Sequence, residues 1–471
     1  MEFSAAEMGP APRSVHGHTL GAPYQRTMGA ARCRRVDGPL RSRSRARGVT
    51  TLARVRNPWP LLVLALLLAG CPLPNHRHAL RIRDTVSETK EGVSLAWYQT
   101  VGVELEPGNK VELVHNGRVF DVLEQEIRAA RSSIHILVYI WRPGDPSERL
   151  IQALRERHPG VTCRILVDPL GSTRFEDDVG PQLVAAGCEV RMFRSLRGTV
   201  SSLNLKRLQS RLHRKLAVRD GVSGLTGGWG IWRVWEGGGK KPDEWRDANI
   251  WVQGPAVRGI QLAFAQNWQE AGGDLLPPEA FPEPMPVQGE ARAGFVSHTG
   301  EPVVTNAERM TLLAIASAKK RLWISNSYFI PTGPIQDMLI AKAKAGVDVR
   351  VLTPGRHHDI PPVHEGQRAT YHRLLENGVR IWEYEVSMMH SKSLLVDDRL
   401  SMVGSTNLDP LALSAEEGSL VVDDPELAAR LAEAFEEDLR HSSEIRWDSW
   451  RRRGLFKRLS ERVTVLFGKY L

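Results

Sequence analysis

The chain has 471 residues, enough for two or three domains with cores of their own, and its apolar, charged and aromatic fractions (42, 25 and 7%) exclude a collagen-like or disordered protein. The net charge of +9 suggests a nucleic-acid binder until it is divided along the chain: residues 1–71 hold 11 Arg, no Lys and three acids, a net of +8, leaving 52 basic against 51 acidic residues beyond Cys71. A body of about +1 is not that of a protein gripping a phosphate backbone, so no nucleic-acid partner is expected.

Residues 1–71 read as a leader. A basic stretch, Arg32 to Arg56, precedes the apolar run "WPLLVLALLLAGC" (Trp59–Cys71), which is too short to cross a hydrocarbon core of about 30 Å as a helix and fits a secretory h-region. Its end, Leu68-Ala69-Gly70-Cys71, resembles a bacterial lipobox with Cys71 as the lipidated residue; an uncleaved signal anchor is the other reading. The segment before Arg32 is long for a signal, and Met28 is an alternative start. Residues 72–95 are polar and read as a tether.

From residue 96 the same order of elements occurs twice. A helical period (Val122 to Arg131) runs into "SIHILVYIW" (Ser133–Trp141), then helices alternate with "GVTCRILVD" (Gly160–Asp168) and "AGCEVRMF" (Ala186–Phe193). In the second copy "LLAIASAKK" runs into "RLWISNSYF" (Arg321–Phe329), followed by "GVDVRVLTP" (Gly346–Pro354) and "NGVRIWEY" (Asn377–Tyr384). Short β-rich runs alternating with helical periods predict βαβ units and a mainly parallel sheet, with a glycine C-cap before each second and third strand. Cys163 and Cys188 read as small buried residues; they could pair in an oxidising compartment if their strands are neighbours. The first repeat spans 96–271, a Pro-rich connector 272–294, the second repeat 295–445, and a C-terminal segment 446–471. Leu196–Arg211 is extra chain in the first copy.

Each copy then presents H-x-K-x(4)-D: His213, Lys215 and Asp220 in "HRKLAVRDG", and His390, Lys392 and Asp397 in "HSKSLLVDD". On a strand, His and Lys two apart share a face, whereas the Asp has opposite parity and falls at a turn, which gives it a structural or orienting role. Strands returning to Gly227-Gly228 and to Gly404–Asn407 follow.

Two such motifs at corresponding places of a repeat resemble the phospholipase D superfamily, over roughly residues 96–471. Within it, "SYFIPTGPIQDMLIAKAKAGVDVRVLTPG", "GVRIWEYEVSMMHSKSLLVDD" and "VGSTNLDPLAL" look most like bacterial cardiolipin synthases. The resemblance implies an α/β fold of two phospholipase D-like repeats, each a mainly parallel mixed sheet flanked by helices, with the active site at their interface. It also implies a histidine nucleophile (His213), a general acid/base (His390), phosphate-binding lysines (Lys215, Lys392), and no cofactor or metal; the residues alone leave the two histidine roles interchangeable. Asn407 and Ser405 are candidate phosphate donors, and Asp247 and Glu417, downstream of the motifs, candidate orienting carboxylates. Gly230 stands where many relatives have Asn. His357, His358, Asp359 and His364 cluster in the loop Pro354–Gly366, read as head-group contact rather than a metal site.

The last residues set Trp447, Trp450 and three arginines before apolar positions recurring at three- and four-residue steps. This fits a basic amphipathic helix lying on an anionic membrane, or one packed on the body. The expected partners are membrane phospholipids and the membrane surface, and the expected function is phosphatidyl transfer making cardiolipin from phosphatidylglycerol. Hydrolysis by a phospholipase D, and an HKD nuclease, are the alternatives. The expected location is the membrane, as a lipoprotein exported to the periplasmic side.

Overall fold

The structure is a computed structural model describing residues 89–194, 211–299, 305–410 and 415–453. The leader with Cys71, nearly all of the extra segment 196–211, and the C-terminal segment after residue 453 lie outside the described residues.

Among the described residues, fifteen strands form one sheet. The first half supplies β1 (Glu106–His115), β2 (Ser133–Val138), β3 (Thr162–Val167), β4 (Glu189–Met192), β5 (Leu216–Arg219), β6 (Ser223–Gly227) and β7 (Ala248–Gln253). The second supplies β8 (Ala291–His298), β9 (Arg321–Asn326), β10 (Asp348–Pro354), β11 (Arg380–Tyr384), β12 (Lys392–Val396), β13 (Leu400–Gly404), β14 (Glu417–Asp423) and β15 (Ser442–Ile445). Their order, β15-β11-β10-β9-β12-β13-β14-β8-β1-β7-β6-β5-β2-β3-β4, reads the same outward in both directions from the β8–β1 seam, with β15 as one addition. The repeat is therefore a pseudo-two-fold. Parallel pairing holds only for β2–β3–β4 and β9–β10–β11. The strands bearing or following the HKD motifs pair antiparallel, so "mainly parallel" applies to the βαβ part of each half and the sheet as a whole is mixed.

Helices cover both faces, which is why the strands are nearly continuous apolar runs. Along β2, Ile134, Ile136 and Val138 point into the first half's outer core, with α2 (Arg118–Ala129) and α3 (Asp145–Arg155). Leu137, of the other parity, joins a core shared by both halves. That shared core is closed by α5 (Val257–Glu270) and α9 (Pro425–Arg440), the helices that follow β7 and β14. The second half's outer core is built with α6 (Asn306–Ser317), α7 (Gly333–Lys344) and α8 (Pro361–Glu376). After α4 (Gly180–Ala185) and α7, Gly187 and Gly346 take positive φ (78° and 88°), the left-handed C-cap expected of them.

Three expectations are corrected. The end of the proposed tether is helix α1 (Lys90–Val101), capped by Thr89, and its Trp97 and Val101 are buried in the second half's outer core rather than the first's. Residues 291–294, assigned to the connector, begin β8 and pair with β1 and β14. Cys163 and Cys188 are buried but also joined by a disulfide, since parallel pairing of β3 and β4 brings their Cα atoms to 4.6 Å. The C-terminal segment opens with α10 (Trp447–Trp450), whose Trp450 is buried beside Tyr371 of α8. Among the described residues no helix is long and apolar enough to cross a membrane.

Candidate active site

The two HKD segments meet at the shared edge of the halves, and each histidine is held by the opposite half. Just before β5, the His213 N–H donates to Glu416 O at 2.9 Å; just before β12, the His390 N–H donates to Arg246 O at 2.7 Å. The side chains cross in the same way. His213 Nδ1 lies 2.7 Å from Glu417 Oε1, and His390 Nδ1 lies 3.0 Å from Asp247 Oδ2. An ionised carboxylate only accepts, so it fixes the proton on Nδ1 and leaves the lone pair on Nε2; the Nε2 of His390 lies 3.1 Å from Lys392 Nζ. The sequence singled out both carboxylates; that they serve the histidine of the other half is visible only in three dimensions.

Lys215 and Lys392 are almost fully buried, and each donates to the carbonyl of its own histidine, at 2.5 and 2.6 Å. Burial, opposed by Glu417 and reinforced by Lys392, lowers Lys215 to about 7, and burial brings Lys392 down to about 8. Burial also drives His213 well below the usual imidazole range, with both lysines adding to the effect; His390 falls to about 4 through burial and Lys392, against Asp247. Four cationic groups crowded into a dry cleft shed protons, and an anionic phosphodiester between them would restore the charge. Glu417 is the counterpart. Burial raises it to about 7, and among the described residues its Oε2 has no hydrogen-bond partner.

The motif aspartates stand elsewhere. Asp220 and Asp397 (φ 53° each) turn the chain at the far end of β5 and β12, seven residues and roughly 20 Å of extended chain from the histidines. Asp220 accepts the amide N–H groups of Arg131, Ser132 and Ser133, and Asp397 those of Lys319, Lys320 and Arg321. Burial would raise Asp220, but those amides outweigh it and hold the carboxyl low. Both staple the helix–strand junction of their half and stand apart from the histidines and lysines. Ser405 is fully buried; its hydroxyl lies 3.2 Å from Gly418 O and accepts the Gly418 N–H at 3.1 Å, steadying the chain beside Glu417. Asn407 is half-buried with Oδ1 taken by Ser327 Oγ at 3.2 Å, which leaves its NH₂ to donate.

Several neighbours escaped the sequence reading. The Tyr139 ring stands edge-on to His213 with Lys215 over it, and Tyr328 does the same for His390 and Lys392. Their position just past β2 and β9 was the available signal. Tyr328 OH donates to Asp359 at 2.7 Å and its ring touches His358, so the His-rich loop reaches the rim of the site. His364 Nε2 lies 3.6 Å from Glu383, and no group of three or more His, Cys, Asp or Glu able to hold a metal occurs among the described residues. Buried His298, whose ring nitrogens are both unpartnered, pairs across the ladder with Glu417.

A family model described as "Cardiolipin synthase, PLD-like domain" matches residues 123–233 and again 312–439. The chain belongs to that family. Similar curated proteins include cardiolipin synthase of Geobacillus kaustophilus, 30% identical over 89% of this chain and 80% of that protein. Cardiolipin synthase A of Yersinia pseudotuberculosis is 30% identical over 79% of this chain and 77% of its own length. In fold, the chain resembles phosphatidylserine synthase of Haemophilus influenzae, with a TM-score of 0.57 and 16% identity over 81% of this chain and 98% of that one. This family member is a phosphatidyltransferase of the phospholipase D superfamily.

Proposed function

We propose that the enzyme makes cardiolipin, transferring the phosphatidyl group of one phosphatidylglycerol to a hydroxyl of a second through a phosphohistidine. The observation that carries this reading is the crossed pair of half-sites, two His–Lys sets with two buried carboxylates in one cluster. His213 Nε2 attacks phosphorus, and the bond from phosphorus to the glycerol oxygen breaks as His390 hands that oxygen a proton. His390 then takes the proton of the incoming hydroxyl, whose oxygen displaces His213. The lysines and Asn407 are suited to neutralise the phosphoryl oxygens throughout. His213 is the more open imidazole, its side chain 17% exposed against 6% for His390, which suits the one that forms the covalent bond.

Expression in a cardiolipin-deficient bacterium, read by lipid mass spectrometry, tests the proposal. Cardiolipin should appear with the wild type and not with His213→Ala. Phosphatidic acid in its place would make the chain a hydrolase.

We also place the protein at the membrane on the periplasmic side, as a lipoprotein. The signal-like leader ending at Cys71 supports this, and a disulfide is the ordinary feature of an exported chain. Cys71→Ser should abolish labelling by a fatty-acid probe; persistent labelling would refute the lipobox.

A further inference from the structure

We propose that Trp235 is a positioning residue for His390, and that it fills the space which a side chain at Gly230, the counterpart of Asn407, would need. The two loops that follow the Gly-rich returns differ in length. Sixteen residues (231–246) separate Gly230 from Asp247, against nine (408–416) between Asn407 and Glu417. The longer loop returns Trp235 into the site, where it is 1% exposed.

Three contacts define its place. A Cβ at position 230 would meet Trp235 Cζ3 and Cη2 at 2.8 and 2.9 Å, so indole fills the volume that a side chain there would need. Trp235 Nε1–H donates to Asp247 Oδ2 at 2.8 Å, the same oxygen that holds His390 Nδ1. The indole also stands edge-on to the His390 imidazole, at 5.3 Å between ring centroids. Asp247 Oδ1 accepts the Ala248 N–H at 2.8 Å, so the carboxylate is fixed at both oxygens. Glu417, lacking an indole, keeps one oxygen unpartnered. A donor shared with His390 draws electron density from Asp247 Oδ2. The indole thus fixes the carboxylate's angle and weakens it as an acceptor for the Nδ1 proton, which makes the imidazolium a stronger acid at Nε2, the nitrogen from which a general acid gives up its proton.

The test compares Trp235→Phe with Trp245→Phe. Trp245 packs against the same imidazole at 4.8 Å, yet no hydrogen bond joins its indole to Asp247. Trp235→Phe should lower kcat about 10–100-fold, the range for losing a hydrogen bond to a charged group, with little change in KM. It should also move the pH limb belonging to His390 to higher pH, because Asp247, a stronger acceptor without the indole, then stabilises the imidazolium. Trp245→Phe should do less of both. Gly230→Asn, although it matches Asn407 of the second copy, should also lower activity by displacing the indole.

Because the inference rests on the proposed His390 chemistry but not on the lipid, each variant is assayed on phosphatidylglycerol and on a small chromogenic phosphodiester, with thermal melting to monitor folding. Failure of lipid transfer with turnover of the small diester would refute the cardiolipin reading and leave Trp235 testable. Equal effects of the two Phe variants, an unmoved pH limb in folded Trp235→Phe, or a gain from Gly230→Asn would overturn the inference.

Discussion

The two half-sites share a scaffold and differ in almost everything that surrounds it. In both, a His-Lys pair precedes a central strand and a carboxylate comes from the opposite half. Around His390, Asp247 is pinned by an indole and an amide, follows Arg246, and Arg246 is itself held by Asp438 at 2.7 Å. Around His213, Glu417 follows a second acid, Glu416, which is balanced by Arg214 at 3.2 Å, and has His298 as its ladder neighbour. On the proposed mechanism the duplication supplies the symmetric part, phosphate binding, and the divergence of the supports separates the group that bonds to phosphorus from the one that moves a proton.

The comparison breaks most completely at the histidines. His213→Ala and His390→Ala should each cost about 10⁴–10⁶-fold in turnover, and the double variant little more, because residues acting as a unit are not additive. Rapid quench with radiolabelled lipid should find the phosphoryl adduct on His213; an adduct found only on His390 would reverse the roles. The carboxylates sharpen it next. Asp247→Asn and Glu417→Gln should each cost about 10²–10⁴-fold by releasing the required tautomer. Glu417→Gln should suppress adduct formation, whereas Asp247→Asn should still form adduct slowly; the opposite pattern would mean that the contacts do not cross.

The pH dependence gives a subtler contrast. With Glu417 raised to about 7, its ionised form, the one that keeps Nδ1 protonated, is lost below neutrality, so adduct formation should fall as pH drops from 8 to 6. The same shift runs against stability. The folded pKa exceeds the unfolded 4.5, so the stability gained from the protonated acid is complete below 4.5 and lost as pH rises through 7. Glu417→Gln should therefore melt higher than wild type at pH 8 while being nearly inactive. Removing the Cys163–Cys188 bond by Cys188→Ser should matter least to chemistry, costing about 2–4 kcal/mol in denaturant unfolding with kcat unchanged.

Much of this was legible in the sequence because it depends on local period. The apolar runs of β2 and β9, the glycines at positive φ and the spacing of His and Lys follow from backbone geometry within a few residues. The antiparallel middle of the sheet was not legible, since short buried strands look alike whichever way they pair. Nor was the crossing of Asp247 and Glu417, which depends on how two halves meet. Trp235 lay in a Gly-rich insertion with no period at all, and a loop tryptophan reveals nothing of its partner until the loop closes. The aspartates of the motif were placed at a turn by parity, and the amides they collect belong to a helix–strand junction 76–89 residues away in the chain.

Because each histidine takes both its backbone and its imidazole partner from the other half, neither half has a working catalytic group before they dock. A ribosome-bound chain that has finished only β1 to β7 exposes His213 without Glu417, and carries Asp247 with no imidazole to orient. The enzyme is thereby silent while only its first half exists, and becomes competent only when the seam between β1 and β8 closes.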